Sequence, residues 1–411
     1  MNEPQPNALA VAESIATALA DPQPWAVEPL NAGRVWPQSL AGGAAGIALL
    51  HIERARSGRG DPGTAHAWLA VAASGALTAA ANAGLFFGAP ALAFVTHAAT
   101  DESGRYQGAL ARLDDAVTKL TRARLAVAHA RIDRGERPEM KEFDLIRGLA
   151  GLGAYHFRRH PDHRITYDVL SYLVRLTDPL PADGELPAWW TNVSPNGEPS
   201  PDYPNGHGNV GLSHGIGSIL ALLSLAMLHN VPVVGAKEAI ERICAWIDLW
   251  QQHDGESLWW PGLVTIEQVR EQRIDPSLRP RPSWCYGISG TARAQQLAGM
   301  ALGDVARKQT AEAAMLAMLR DPAQLDRLPE IGLCHGTAGL LQAAWRMAAD
   351  ATTSPLGAEL PNVAARLTTQ ISRCMHEPEL LDGVAGAALA LHTIGTGIAP
   401  ASGWDTILLL A

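Results

Sequence analysis

The stretch Leu333-Cys334-His335-Gly336-Thr337-Ala338-Gly339 decides how this chain is read. A short Gly-x-x-Gly step stands before an apolar run, Leu340, Leu341, Ala344 and Met347, whose spacing is helical. An earlier stretch, Trp284-Cys285-Tyr286-Gly287-Ile288-Ser289-Gly290, has the same form, its cysteine again two residues ahead of the first glycine. Working outward, a Gly-x-x-(small) step occurs seven times, with first glycines Gly43, Gly88, Gly148, Gly215, Gly287, Gly336 and Gly383. The intervals are 45, 60, 67, 72, 49 and 47 residues. About 45 to 50 residues hold two helices of ordinary length and two loops, so each unit reads as an inner and an outer helix. Small residues at the step let helix starts approach closely. No stretch alternates convincingly as a strand.

Stacked hairpins form an open solenoid or close into a ring. A solenoid needs polar end repeats, yet the first and last steps here are as apolar as the middle ones. The expectation is an all-α protein, an α/α toroid of about seven helical hairpin repeats, in a single domain over residues 1–411. The longer intervals mark insertions at about 102–143, 178–210 and 254–284. The first carries Lys119, Arg122, Arg124, Arg131, Arg134, Arg137 and Lys141 among acids, and reads as a solvated helix. The other two are rich in Pro and Trp, including Pro181, Trp189, Trp190, Trp259 and Trp260, and read as ordered loops at one face, where binding sites often form.

Net charge is −9, so no basic field draws the chain to nucleic acid or an anionic membrane. Four cysteines, Cys244, Cys285, Cys334 and Cys374, are too few in 411 residues for a disulfide framework. The N-terminus lacks the basic and apolar regions of a signal peptide, which makes the cytoplasm the expected location. Residues Ala67 to Val95 hold no charge, but Ser74, Thr78, Asn82, Gly84, Gly88 and Pro90 argue for two buried helices joined near Gly84 to Gly88 rather than a membrane span.

The repeat gathers chemistry at one level. The residue before the first glycine is His214, Tyr286, His335 and Asp382 in units four to seven; two before it lie Cys285 and Cys334. Two buried cysteines would be the ordinary reading, but a shared slot with His335 alongside argues for a metal. Adjacent residues on a regular helix do not face each other, so Cys334 and His335 can share an ion only from the turn before the helix. Two thiolates and an imidazole favour zinc over magnesium or calcium. Three protein ligands leave a fourth position open, the mark of a catalytic zinc site that could take a thiol. His214 stands one unit earlier as a candidate general acid. Asp144 is a candidate functional residue or a cap of the third inner helix. Arg281 and Trp284 flank Cys285. His51, His97, His207 and His392 read as structural, and Cys244 and Cys374 as inert.

Together, Cys334-His335-Gly336, Trp284-Cys285-Tyr286-Gly287 and Gly211-Leu212-Ser213-His214-Gly215 resemble the motif set of the LanC-like lanthionine synthetase cyclases. The resemblance runs over essentially the whole chain. It implies an enzyme that adds cysteine thiols to dehydroalanine or dehydrobutyrine in a precursor peptide, forming lanthionine or methyllanthionine thioethers. It implies one Zn2+ held by Cys285, Cys334 and His335, and catalytic roles for His214 and Asp144. Arg281, Trp284 and Tyr286 match residues that line the family's site. The implied partners are a dehydrated precursor peptide, a separate dehydratase and a transporter, with the cyclase peripheral to a membrane-associated complex. Ser213 and Ser289 stand where the family often has Ala and Pro. Two other readings share the zinc-and-toroid logic: a prenyltransferase-type toroid, which would usually need an aspartate ligand and a partner subunit, and a non-catalytic module that binds a thiol, glutathione or a protein.

Overall fold

The computed structural model describes residues 4–23, 37–101, 103–180, 186–255, 257–352, 355–373 and 377–411. Cys374, Pro181 and a few positions of the insertions lie outside them. The described helices in chain order are α1 (Pro6–Ala18), α2 (Ala44–Arg56), α3 (Pro62–Ala72), α4 (Ala89–Ala98), α5 (Gln107–Asp133), α6 (Met140–Phe143), α7 (Leu149–Arg159) and α8 (Arg164–Leu176). There follow α9 (Ile216–Leu228), α10 (Ala236–Leu249), α11 (Ile266–Glu271), α12 (Ile288–Leu302), α13 (Val305–Leu319), α14 (Pro322–Leu325), α15 (Thr337–Asp350), α16 (Leu356–Arg373) and α17 (Val384–Thr396).

All seven steps stand at helix starts, and six share one local conformation. Gly43, Gly148, Gly215, Gly287, Gly336 and Gly383 are N-cap residues with extended backbone, φ from −121° to −98° and ψ near 180°. Gly88 departs, with φ 78°. A tight turn leads into the step: the Gly148, Gly215 and Gly287 N–H groups donate to Asp144, Gly211 and Ser283 carbonyls at 3.1, 3.0 and 3.0 Å. Glycine is enforced there by space, since a Cβ on Gly287 would lie 2.1 Å from the Arg281 carbonyl oxygen.

The chain divides into two compact units, residues 1–117, 325–407 and 411, and residues 118–324 and 408–410. In the first, α15 packs on α17, α17 on α2 and α2 on α4. The companions α16 and α3 back α15 and α2. In the second, α7, α9 and α12 pack in sequence, backed by α8, α10 and α13. Every residue of α9 from Ile216 to Ala226 is buried, whereas α8 buries one face through Ile165, Val169, Leu170, Leu173 and Leu176. Burying each such aliphatic side chain is worth about 1.5–3 kcal/mol, and the pair shows the contrast of an inner helix apolar all round and an amphipathic companion.

Backbone bonds also tie neighbouring steps together. The residue two before the first glycine donates to its counterpart in the next step: Ser213 to the Cys285 carbonyl (3.3 Å), Cys334 to Leu381 (2.9 Å) and Leu381 to Ala41 (3.0 Å). Slots that match in sequence are thereby placed side by side.

Several expectations change. α17 takes its companion from the other end of the chain: α1 packs along it, Gln5 N–H donates to the Ile394 carbonyl at 3.2 Å, and a Cβ on Gly395 would meet Leu9 at 2.7 Å. The uncharged stretch from Ala67 does lie on two helices, but the connection between them runs from 73 to 88 rather than from Gly84 to Gly88. α3 ends at Ala72 and α4 starts at Ala89; Gly88, the N-cap of α4, has φ 78°, which a helix cannot continue through from the N-terminal side. The insertion at 102–143 forms the long α5, which is less solvated than its charges suggest: Leu110, Leu113, Val117, Leu120, Leu125 and Ala128 are buried along one stripe. Short strands also occur. β1 (His207–Asn209) pairs antiparallel with β4 (Leu263–Thr265), and β2 (Gln252–Asp254) with β3 (Ser257–Trp259). Three-residue strands are too short to show a period in sequence. No described helix is long and apolar enough to cross a membrane.

Three core histidines make stability pH-dependent. Burial holds His51, His207 and His392 down to a pKa of about 4. The unfolded chain then binds more protons than the folded one between the ordinary histidine pKa and about 4. Stability is full at neutral pH and falls as pH drops through this window, by on the order of 3 kcal/mol per histidine at pH 4. Thermal melting should show Tm dropping steeply from pH 6.5 to 4, and His392→Gln should flatten that slope. An unchanged slope in the variant would remove His392 from the account.

Candidate metal centre and acid–base pair

Asp144 follows α6 and opens the turn before α7. It does not cap α7, whose N-cap is Gly148; it caps the preceding turn instead. Its Oδ1 accepts the Arg147 and Gly148 N–H groups at 2.6 and 2.7 Å, and its Oδ2 meets His214 Nδ1 at 2.6 Å. The Asp144 side chain is 2 % exposed and that of His214 is 29 % exposed. A backbone bond from Leu145 N–H to the Ser213 carbonyl, 3.2 Å, holds the two turns in register. With Nδ1 turned to the carboxylate, Nε2 is the nitrogen left to give or take a proton. The Tyr286 ring lies over His214, with centroids 6.3 Å apart and planes 29° from parallel. Glycine at 211 permits that approach, since a Cβ there would fall 2.7 Å from Tyr286 Cδ1.

Cys285 sits two residues after Ser283, in the turn before α12, and is 8 % exposed. The Ser283 hydroxyl lies 3.4 Å from its Sγ, and its carbonyl accepts both the N–H and the hydroxyl of Ser213 at 3.3 Å. Trp284 turns the other way. It is 0 % exposed and its indole N–H donates to the Leu408 carbonyl at 3.0 Å, so it supports the turn from behind and presents no surface to a substrate. Arg281 and Tyr286 are half-buried.

Cys334 and His335 lie where the sequence required, in the turn before α15, which begins at Thr337 after the Gly336 N-cap. Both are partly exposed. His335 Nδ1 is 3.4 Å from Asp382 Oδ1. Asp382 occupied the right slot in the sequence, but nothing there tied it to a histidine. The ligand atoms of Cys285, Cys334 and His335 all lie within 4.8 Å of one another, so these three could hold a metal ion. The donors fit zinc: two Zn–S bonds of about 2.3 Å at a tetrahedral angle put their sulfurs about 3.8 Å apart, inside the 4.8 Å within which all three donor atoms lie. Soft sulfur with imidazole is the wrong set for magnesium or calcium.

Other thiols and histidines stand apart. Burial pushes the Cys244 thiol up to about 12, which makes it a poor nucleophile and ligand. His51 bonds the Leu19 carbonyl, His207 the Val193 carbonyl and His392 the Ser57 hydroxyl, all structural partners.

A profile of the lanthionine synthetase C-like protein family matches residues 34–409. The nisin biosynthesis protein NisC of Lactococcus lactis subsp. lactis is 25 % identical over 206 residues, 49 % of this chain and 48 % of that protein, so the match spans about half the length of this relative. The structure of a nisin cyclase superposes with a TM-score of 0.78 at 18 % identity, covering 99 % of this chain and 98 % of the other. That likeness establishes the fold class read from the repeat, an all-α LanC-like α/α toroid. With the profile covering nearly every described residue and the motif turns in place, the chain belongs to the lanthionine synthetase C-like protein family.

Proposed function

We propose that this protein is a zinc-dependent peptide cyclase that closes lanthionine or methyllanthionine rings by intramolecular addition of cysteine thiols to dehydroalanine or dehydrobutyrine. The observation that carries the reading is the convergence of Cys285, Cys334 and His335 donor atoms within 4.8 Å. The family and the nisin-related relatives supply the substrate class. Bound zinc would lower the pKa of a substrate thiol and so supply a thiolate at neutral pH.

The protein's own residues account for the rest. The peptide thiol gives its proton to solvent water, which re-protonates His214, a bond forms from sulfur to the β-carbon, and the alkene electrons move to the adjoining carbonyl as an enolate. His214 Nε2 returns a proton to the α-carbon, so no atom is lost overall. Asp144 fixes the imidazole orientation through Nδ1 and stabilises its protonated form. Tyr286 restrains the ring by stacking on it, and Arg281, half-buried four residues before Cys285, would contact the anionic intermediate. Trp284 braces the turn that carries Cys285. The substrate partner is a dehydrated precursor peptide made by a separate dehydratase. Release to a transporter and a cytoplasmic location beside a membrane complex complete the proposal.

Ring closure leaves mass unchanged, so the test is thiol alkylation of a dehydrated precursor peptide after incubation. Protection from alkylation far faster than the uncatalysed reaction is expected. Thiols that stay alkylatable at the uncatalysed rate, with a peptide matched to this enzyme, would sink the cyclase reading.

A further inference from the structure

Each of the two site histidines turns Nδ1 toward a carboxylate: His214 toward Asp144, and His335 toward Asp382, at 3.4 Å. Only the first pair has a place in the proposed proton chemistry. The second is longer and more open, with the Asp382 side chain 49 % exposed, but the backbone holds its two turns together. Cys334 N–H donates to the Leu381 carbonyl at 2.9 Å, which locks the turn carrying His335 to the turn carrying Asp382. Glycine at 332 is what lets the turns meet, since a Cβ there would lie 2.5 Å from the Leu381 carbonyl and 2.6 Å from Asp382 Cα. The backbone register therefore delivers Asp382 to the histidine; a chance encounter of surface side chains would need no such interlock.

We propose that Asp382 is a positioning residue for His335: its carboxylate accepts the Nδ1 proton, fixes the ring's tautomer and orientation, and leaves Nε2 as the donor to the metal. A histidine that ligates a metal generally gives its other N–H to a carboxylate or carbonyl, which orients the ring and raises its basicity. Here the carboxylate comes from the next repeat, so the seventh unit serves the metal site without contributing a ligand. The inference rests on the zinc reading above. Glu379 stands near Asp382, and the charges of Asp382 and Glu377 help raise its pKa after the effect of burial. It therefore offers a control for local negative charge as distinct from contact with His335.

The test measures zinc affinity of the full-length protein by competition with a chromophoric chelator. The wild type should bind one zinc per chain. Asp382→Ala should weaken binding roughly 10- to 100-fold. Asp382→Asn, which keeps an acceptor oxygen but loses the charge, should fall between, and Glu379→Gln should change affinity by less than about threefold. Asp382 is half-exposed, so folding should survive, and melting curves check it. In metal-free 15N-histidine-labelled protein, the His335 Nδ1–H tautomer should dominate in the wild type and not in Asp382→Ala. At saturating cobalt, the thiolate-to-metal absorption of Asp382→Ala should match the wild type, as required of a residue that is not itself a ligand. Equal zinc affinity and tautomer in wild type and Asp382→Ala would overturn the proposal, as would an altered cobalt spectrum. A wild type that binds no zinc would instead overturn the zinc reading, and this proposal with it.

Discussion

Cys334→Ala is expected to lose bound zinc and ring-forming activity together. Removing one thiolate leaves Cys285 and His335, two donors where a catalytic zinc needs three, and removes one negative charge that offsets the ion. Metal analysis after dialysis should fall from one zinc per chain to near zero, and thiol protection in the peptide assay should return to the uncatalysed rate. Cys334 is the better choice than Cys285 for this test. It is only half-buried, it lies in a turn and not in a helix, and its backbone bond to Leu381 does not involve the side chain. Cys285 is buried, and its replacement would confound metal loss with repacking. A Cys334→Ala protein with full zinc and full turnover would remove Cys334 from the site.

The second large effect belongs to the proposed acid–base pair, His214 and Asp144, and has the opposite metal signature. His214→Ala should keep zinc and lower turnover by roughly 10²- to 10⁴-fold, the range a positioned general acid contributes. Asp144→Asn should act in the same direction. Asn can still accept the Arg147 and Gly148 N–H groups through its oxygen, so the turn survives. Its amide then presents N–H to His214 Nδ1, which favours the tautomer with the proton on Nε2 and removes the counter-charge for the protonated ring. Zinc content, melting temperature and single-turnover ring closure, measured on the same preparations, distinguish this from metal loss. Wild-type turnover in His214→Ala would assign the α-carbon proton to another group.

How much of this could be read beforehand depends on the range of each interaction. The hairpin repeat was legible because steric demand at each step is local: Gly148, Gly215, Gly287 and Gly336 must be glycine to pass their own preceding turns. From the repeat came the helical class, the equivalence of Cys285 with Cys334, and the grouping of His214 with both. The placement of Cys334 and His335 in a turn followed from helix geometry alone. Boundaries were less legible inside the uncharged run, where the connection 73–88 replaces helix and Gly88 with φ 78° starts α4.

Other features were set by contacts between residues far apart in sequence. The pairing of α1 with α17 joins opposite ends of the chain, and no periodicity announces it. Trp284 flanks Cys285, a proposed ligand, and looked like part of the site wall, yet its indole is held by a hydrogen bond to Leu408, 124 residues away. The Asp382 carboxylate reaches His335 because a backbone bond between turns sets its register, and the Oδ2 of Asp144 faces His214 for the same reason. The sequence by itself determined which residue types share a level of the repeat, since that follows from spacing and local sterics. Only the tertiary structure decided which of them face one another, because side-chain direction depends on the hydrogen bonds that dock each turn against the next.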